Sequence, residues 1–267
     1  MLLAPAREPP HIPPMASESV DPTPDHPLRL AVWSGPRTIS TALMRSWGNR
    51  SDTFVCDEPL YAHYLATTSA PHPGAEEIVA HHEADWRTVA EWLTGPVPDG
   101  KAVFYQKHMA HHLLDTIDRE WLNKLTHSFL IRHPRNMILS LDRVLPDPGL
   151  EETGMPQQLE LFEQVREESG AVPPVLDARD VLEDPRRMFT LWTGALGIPF
   201  EDRMLSWPPG ARDTDGVWAR HWYDRVNEST GFRPYERRDH ELPDRLMGLY
   251  EACMECYEPL YAYRLGA

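Results

Sequence analysis

The stretch LRLAVWSGPRTISTALMRSW, residues 28–47, decides the fold class of this 267-residue chain. It begins with a short apolar run, LRLAVW, that is typical of a buried strand. Turn-forming residues follow, and from Ser40 onward the apolar residues recur with the period of a helix. A turn that leads from a strand into a helix offers backbone N–H groups and the positive end of the helix to an anion. We therefore predict a phosphate-binding turn made of Ser34, Gly35, Pro36, Arg37, Thr38, Ile39, Ser40 and Thr41.

Similar short apolar runs recur downstream, at residues 53–57, 102–106, 128–131 and 174–178. Segments with helical periodicity lie between and after them, at residues 76–93, 110–124, 134–144, 157–168, 185–196 and 242–264. Strands that alternate with helices indicate βαβ units and a parallel sheet. The expected architecture is an α/β fold with a three-layer, P-loop-like parallel sheet flanked by helices, and with a helical C-terminus.

The chain divides into a tail and one domain. Residues 1–27 hold many prolines among acids and hydroxyl residues, a composition that cannot bury enough apolar surface to offset the entropy lost on ordering. We predict that this segment is a disordered tail. Residues 28–267 show no internal repeat and are predicted to form a single domain.

The overall charge limits the partners that we expect. Lys and Arg number 26 against 41 Asp and Glu, which gives a net charge of -15 and disfavours nucleic acid or an anionic membrane. Three cysteines cannot form a disulfide framework in a chain of this length, so a reducing compartment is expected. No apolar run approaches the roughly 18 residues of a membrane span, and the first residues do not resemble a secretory signal. We expect a cytoplasmic protein, and its oligomeric state stays open.

Chemistry in an open parallel sheet lies at the carboxyl ends of the strands. The second predicted strand ends in Asp57-Glu58-Pro59, the third in Lys107-His108 and the fourth in Arg132-His133-Pro134-Arg135. Cations, an acid pair and a histidine would therefore meet the phosphate-binding turn at one rim of the sheet.

Two segments resemble motifs of the sulfotransferases that use 3′-phosphoadenosine 5′-phosphosulfate (PAPS). SGPRTISTALMRSW is similar to the family's phosphosulfate motif, usually PKSGTT or PRSGTT, with Arg37 at the basic position and Ser40 and Thr41 at the hydroxyl pair. FLIRHPRNMILSL resembles the motif in which an arginine and a serine eight residues later hold the 3′-phosphate, here Arg132 and Ser140. Ile39 stands where the family usually has a glycine.

The resemblance continues toward the C-terminus in the same order. Residues 175–200, VLDARDVLEDPRRMFTLWTGALGIPF, are similar to the family's strand-acid-helix segment. Residues 212–218, RDTDGVW, resemble the loop that folds over the nucleotide, so the resemblance assigns Arg212 and Trp218 to nucleotide binding. It implies sulfuryl transfer from PAPS to a hydroxyl or amine of a small-molecule acceptor, without a metal, with Arg37, Ser40, Thr41 and Lys107 neutralising charge.

Two residues are candidates for the general base that takes the acceptor's proton. His108 follows Lys107 much as in the family's KTHL-like segment, but one intervening residue is missing. Because side chains alternate along a strand, His108 then points to the opposite face from the expected one. Some relatives carry a glutamate base after the second strand, and Glu58 is in that context. We expect Glu58 to be the base.

Other interpretations stay open from the residues alone. Asp57-Glu58 after an apolar strand also fits a Mg²⁺-binding element of an ATP-dependent kinase or hydrolase, although no P-loop lysine is present. A third possibility is a nucleotide-binding pseudoenzyme with a regulatory role. His108, His111 and His112 have the spacing of a zinc-binding face, but no further ligand completes it, so no metal is expected.

Overall fold

A parallel sheet forms the centre of the molecule. The computed structural model describes residues 21–70, 72–236 and 241–267. Its strands are β1 (Leu28–Ser34), β2 (Thr53–Asp57), β3 (Val103–Met109), β4 (Thr126–Ile131) and β5 (Val175–Asp177). They pair in the order β2-β3-β1-β4-β5, and every pair is parallel. The predicted α/β fold with a parallel sheet is confirmed.

Helices cover both faces of the sheet. The helices are α1 (Ser40–Gly48), α2 (Tyr61–Thr68), α3 (Ala75–His81), α4 (Trp86–Thr94), α5 (Pro134–Leu141), α6 (Met155–Ser169), α7 (Ala178–Glu183), α8 (Pro185–Ala195), α9 (Ala219–Trp222), α10 (Asp224–Asn227) and α11 (Met247–Tyr261). Along β1, Leu30 and Val32 belong to one apolar core, whereas Ala31 and Trp33 belong to the other. The two cores confirm the three-layer arrangement, and α11 confirms the helical C-terminus.

The predicted tail is only partly described. Residues 1–20 lie outside the described residues. Just before β1, Thr23 and His26 exchange backbone hydrogen bonds of 3.0 and 3.2 Å in a tight turn.

Two helix predictions were wrong. Residues 76–93 form α3 and α4 rather than one helix, because His82 is extended and the Asp85 side chain caps α4 by accepting from the Arg87 N–H. Residues 110–124 contain only 3₁₀ turns, Ala110–His112 and Glu120–Lys124. The Asp118 carboxylate accepts a hydrogen bond from the backbone N–H of Glu120, a local turn that competes with helix formation.

The third strand is longer than the sequence pattern indicated. It continues through Lys107 and His108 to Met109, so both residues lie within the strand rather than after it. Side chains alternate along a strand, so Lys107 and His108 are on opposite faces of the sheet.

Candidate active site

A cavity of about 850 Å³ opens at the carboxyl ends of the strands. The predicted site residues that line it are Pro36, Arg37, Thr38, Ile39, Ser40, Thr41, Glu58, Lys107, Arg132 and Ser140. The other predicted site residues, Ser34, Gly35, His108, Arg212 and Trp218, do not line it. The structure therefore brings the two strongest motifs and the Asp57-Glu58 strand end together, as expected for an open parallel sheet.

Residues from two separate motifs are in contact at one end of the cavity. Arg37 Nε donates to Ser140 Oγ at 3.2 Å, and the Arg132 guanidinium donates to the backbone carbonyl of Arg37. Burial lowers the pKa of Arg37, and the charges of Arg225 and Arg143 lower it further. Like charges gathered in a half-buried site favour the binding of an anion there.

The glycine requirement of the phosphate-binding turn lies at Gly35 rather than at position 39. Ile39 precedes α1 with φ of -102°, a conformation open to any residue. At Gly35, by contrast, a Cβ atom would lie 2.5 Å from the carbonyl oxygen of Thr153, so only glycine fits. Arg37 itself adopts a φ of 58°, which turns the loop at the residue with the cationic side chain.

Lys107 lies in a buried cluster with two carboxylates and a tyrosine. Its Nζ donates to Asp57 Oδ1 at 2.7 Å, to Glu58 Oε1 at 2.5 Å and to the Tyr223 hydroxyl at 2.9 Å. These bonds use all three ammonium protons. Burial alone would lower the pKa of Lys107, but the carboxylates of Asp57 and Glu58 outweigh it and hold that pKa well above its usual value. The direction of this shift favours the charged ammonium at neutral pH.

Tyr223 completes the cluster from a distant part of the chain. Its hydroxyl lies 2.6 and 2.9 Å from the two carboxylate oxygens of Asp57 and donates to that group. The backbone N–H of Gly216 also donates to Asp57, at 3.3 Å. The sequence analysis did not single out Tyr223, because no periodic pattern in residues 206–231 marks it.

The loop that carries Tyr223 is anchored by a buried ion pair. Arg45 of α1 donates to both oxygens of Asp215 at 2.5 and 2.7 Å, and the exposed fractions of the two side chains are only 2% and 4%. Trp218 packs edge-on against Tyr61 and is itself buried. The loop is thus docked on the end of the sheet, close to the cavity.

Glu58 and His108 occupy different environments. Glu58 lines the cavity, where burial raises the pKa of its carboxyl while the Lys107 ammonium opposes the rise, and the net effect is upward. His108 stacks on Trp33 with ring centroids 4.2 Å apart and lies 3.3 Å from Gln106 Oε1. Burial lowers the pKa of His108 to about 3. Of these two side chains, only that of Glu58 lines the cavity.

Arg212 and Trp218 lie away from the cavity. The Arg212 guanidinium donates to the carbonyl of Pro208 and lines a separate shallow depression. The indole of Trp218 points its N–H at the Tyr223 hydroxyl, 3.4 Å away. In this structure neither side chain is placed to contact a nucleotide in the cavity.

Aromatic and imidazole rings form the end of the cavity next to Glu58. We call Tyr61, Tyr64, His72, His111 and His112 the aromatic end. The His112 ring stacks between Tyr61 and Tyr64, with centroid distances of 4.5 and 4.8 Å. Burial lowers the pKa of His111 to about 3 and that of His112 well below its usual value, so both imidazoles are neutral. Among the described residues, no three His, Cys, Asp or Glu side chains are arranged to hold a metal ion.

The chain matches one family model and two curated relatives whose names describe different activities. A family model described as "Sulfotransferase domain" matches residues 28–262. Two relatives from Arabidopsis thaliana, "Branched-chain-amino-acid aminotransferase-like protein 2" and "Branched-chain-amino-acid aminotransferase-like protein 1", are 32% and 33% identical over 86% of this chain. The chain spans only 41% of the length of those relatives.

Solved structures with the same fold include two domains of biosynthetic proteins. The "Sulfotransferase Domain from the Curacin Biosynthetic Pathway" gives a TM-score of 0.54 at 14% identity, covering 90% of this chain and 99% of that one. The "Sulfotransferase Domain from the Synechococcus PCC 7002 Olefin Synthase" gives a TM-score of 0.51 at 17% identity, covering 85% and 94%. At these identities the likeness establishes the fold alone. In the part of the chain that the structure describes, no helix has the length and apolar character needed to cross a bilayer.

Proposed function

Because this chain belongs to the sulfotransferase domain family, we propose that it transfers a sulfuryl group from PAPS to a hydroxyl or amine of a small-molecule acceptor. The observation that carries the proposal is the contact of Arg37 with Ser140 and of Arg132 with the Arg37 backbone, at the wall of one cavity. These residues come from two sequence motifs that are about 100 residues apart, with Arg37 and Ser140 separated by 103. Their meeting supports a site for a ligand with two anionic ends.

The first end of the site fits a nucleotide bisphosphate. Arg132 and Ser140 would bind the 3′-phosphate, and Arg37 would bind the 5′-phosphosulfate end. Helix α1 begins at Ser40, and the free backbone N–H groups at its N-terminus can donate to the same anion. No acidic residue lies in its first turn to repel that anion. The lowering of the pKa of Arg37 by burial and by the charges of Arg225 and Arg143 supports this fit, since a bound anion would offset both effects.

The second end of the site would handle the acceptor. Bound PAPS would supply a sulfuryl group attached to a phosphate leaving group. Glu58 would accept the acceptor's proton as the new bond to sulfur forms and the bond from sulfur to the phosphate oxygen breaks. Arg37 and the N–H groups of the turn would stabilise the negative charge that grows on that phosphate oxygen. The raised pKa of Glu58 makes its carboxylate a better proton acceptor than an exposed glutamate.

Lys107 has a role in this scheme that follows from its partners. In this structure its ammonium holds Glu58 and Asp57, and all three of its protons are engaged. We assign to Lys107 the placement of the Glu58 carboxylate. A contact between Lys107 and the sulfuryl group, which the family resemblance implies, would require one of these hydrogen bonds to break.

An ATP-dependent kinase or hydrolase is the alternative from another reaction class. Its magnesium would need the carboxylate that ends β2, Asp57. That carboxylate already accepts from Lys107, Tyr223 and the Gly216 N–H, so its lone pairs face donors rather than an open coordination site. This donor set favours the sulfuryl-transfer proposal.

A thermal-shift comparison tests the donor. The purified protein is heated with 3′-phosphoadenosine 5′-phosphate, with ADP and with ATP plus Mg²⁺, because a ligand stabilises the native state according to its affinity. We expect the bisphosphate to give the largest rise in Tm. Arg132→Ala should abolish the difference from ADP, whereas Arg212→Ala, outside the cavity, should keep it. Equal shifts with ADP and the bisphosphate would contradict PAPS as donor.

Turnover distinguishes an enzyme from a pseudoenzyme. Release of the bisphosphate from PAPS in the presence of a panel of alcohols and amines is followed at neutral pH. Arg37→Ala should lower kcat more than it lowers affinity for the product nucleotide, since the charge that Arg37 stabilises develops in the transition state. Activity that needs Mg²⁺ and ATP instead would establish the kinase alternative.

A further inference from the structure

The cavity is electrically divided into two ends. Arg37, Arg132 and Arg225 line the first end, where burial lowers the pKa of Arg37 and the charges of Arg225 and Arg143 lower it further. At the aromatic end, burial raises the pKa of Tyr61 and Tyr64 and lowers that of His72. Beyond burial, the Glu58 carboxylate raises the pKa of Tyr61, with Lys107 opposing it, and the Glu152 carboxylate raises the pKa of Tyr64 and of His72. The nucleotide would occupy the arginine end, so the carboxylates lie in the part of the cavity that is left for the acceptor.

Glu152 provides a negative charge at the aromatic end of the cavity. It lines the cavity. Its charge adds to the rise that burial causes in the pKa of Tyr64, and it opposes the lowering that burial causes in the pKa of His72. Its carboxylate accepts from the Gly149 N–H at 2.9 Å, and within the described part of the chain it forms no ion pair. An exposed carboxylate that faces a cavity without a cationic partner favours a cation in that cavity.

Glu58 provides a second carboxylate at the near side of the same rings. Its Oε2 lies 4.0 Å from His112 Nδ1, and that nitrogen is buried without a hydrogen-bond partner. The His112 ring is held between Tyr61 and Tyr64, and the chain two residues after Glu152 packs against His111, because a Cβ atom on Gly154 would lie 3.2 Å from His111 Nδ1. Both carboxylates therefore line the same cavity as this group of rings.

The histidines do not cancel this negative charge. Burial lowers the pKa of His111 to about 3, so its imidazole is uncharged at neutral pH, and His112 is likewise neutral. The buried Lys107 ammonium is matched by the carboxylates of Asp57 and Glu58. The aromatic end therefore keeps net negative charge together with flat apolar surfaces, on which a cation and an aromatic body are both stabilised.

We propose that the acceptor is a hydroxyl compound that carries an ammonium group, with Glu152 as the residue that selects for the positive charge. This inference rests on the proposed function. The hydroxyl lies at Glu58, the body of the acceptor packs on the rings of Tyr64 and His112, and the ammonium group faces Glu152. In the reaction, the hydroxyl oxygen forms a bond to sulfur, its proton passes to Glu58, and the bond from sulfur to the phosphate oxygen breaks with its electron pair on that oxygen. The ammonium group keeps its protons throughout.

Three phenols that differ only in charge at the far end test the proposal. Tyramine carries an ammonium group, p-cresol is uncharged and 4-hydroxyphenylacetate is anionic, while the hydroxyl that reacts is the same. With PAPS as donor, kcat/KM should be about tenfold higher for tyramine than for 4-hydroxyphenylacetate, with p-cresol between them, as expected for one partly exposed charge that attracts one compound and repels the other. Affinity for the protein loaded with the bisphosphate, measured by thermal shift, should follow the same order.

Glu152→Gln and Glu151→Gln form a matched pair of variants. Both residues are exposed, but only Glu152 lines the cavity, whereas Glu151 accepts from Gln157 on the surface. Glu152→Gln should bring the ratio of kcat/KM for tyramine to kcat/KM for 4-hydroxyphenylacetate close to one, and Glu152→Lys should bring it below one. Glu151→Gln should leave the ratio unchanged.

The outcomes separate this inference from the proposed function. If the bisphosphate stabilises the protein and p-cresol is sulfated, but all three phenols react equally well, sulfuryl transfer stands and the cationic acceptor is refuted. A charge preference that survives in Glu152→Gln refutes Glu152 as its cause. If no phenol is turned over, equal binding of the three to the loaded protein refutes the inference. A protein that the bisphosphate stabilises no better than ADP refutes the proposed function itself.

Discussion

Removing one oxygen atom, by Tyr223→Phe, should weaken both the fold and the reaction. The Tyr223 hydroxyl donates to the buried Asp57 carboxylate at 2.6 Å and accepts from Lys107 Nζ at 2.9 Å. Hydrogen bonds to charged groups contribute about 1.5–3 kcal/mol each, and both partners are charged. Asp57 keeps Lys107 and the Gly216 N–H as donors, so the loss should equal about one such bond rather than the desolvation of a bare charge. We expect the free energy of unfolding to fall by about 1.5–3 kcal/mol.

Urea denaturation followed by tryptophan fluorescence measures this change. The control is Tyr250→Phe, since Tyr250 packs against a core and its hydroxyl makes no hydrogen bond within the described residues. The same protein samples should show a lower kcat with PAPS, because a looser Lys107 no longer fixes the Glu58 carboxylate, while affinity for the product nucleotide stays near wild type. If Tyr223→Phe loses no more stability than Tyr250→Phe and keeps its kcat, the Tyr223 hydroxyl neither stabilises the fold nor holds Lys107 and Glu58 in place for the reaction.

Three further changes have expected outcomes. Gly35→Ala should lower the free energy of unfolding by about 1–3 kcal/mol in the same urea assay, because its Cβ would lie 2.5 Å from the Thr153 carbonyl oxygen. The control is Gly48→Ala, whose Cβ would make ordinary contacts of 3.5 Å. Equal losses of unfolding free energy in the two variants would contradict the argument. Glu58→Gln should lower kcat by about 10²-fold while nucleotide binding is retained. In the wild type, kcat should rise with pH, with its midpoint above the usual pKa of glutamate, because burial raises the pKa of Glu58. A pH profile that is unchanged in the variant would exclude Glu58 as the base. Burial lowers the pKa of His108 to about 3, so below about pH 6.5 the unfolded chain binds a proton that the native state does not. The free energy of unfolding should therefore fall, through this group, by about 1.4 kcal/mol for each unit by which the pH is lowered between roughly pH 6 and 4. His108→Gln should make this slope shallower, and an identical slope would show that His108 is protonated in the native state.

Much of the sheet and the first motif could be predicted from the sequence, because both depend on local patterns. The alternation of apolar runs with helical segments gave the strands, and period-two alternation separated Lys107 from His108. Residues 110–124 show the limit of this reasoning. Their buried Leu113, Ile117 and Trp121 recur every four residues as in a helix, yet they belong to turns. Apolar spacing alone cannot tell a helix from a chain that is folded by side-chain hydrogen bonds.

The remainder of the site depends on contacts between distant residues. Tyr223 meets Lys107 across 116 residues, in a loop with no repeating pattern. In the C-terminal motif, Asp215 forms the buried ion pair with Arg45, whereas the Arg212 guanidinium donates to the backbone carbonyl of Pro208. No local rule specifies which charged residue of a loop becomes buried, since the choice depends on the partner that the fold supplies.

The central position of β1 has a consequence for how the protein is made. This strand pairs on one side with β3, where Leu28 aligns with Val103, 75 residues later in the chain, and on the other side with β4, where Leu30 aligns with Thr126. A ribosome that adds about 5–20 residues per second needs roughly 4–15 s to deliver the first of these partners. During that interval the nascent chain exposes both edges of an apolar strand whose residues Leu30, Ala31, Val32 and Trp33 are fully buried in the finished protein. Chaperones that hold this segment on the ribosome should therefore increase the yield of folded protein, and slow codons between β1 and β3 should promote aggregation.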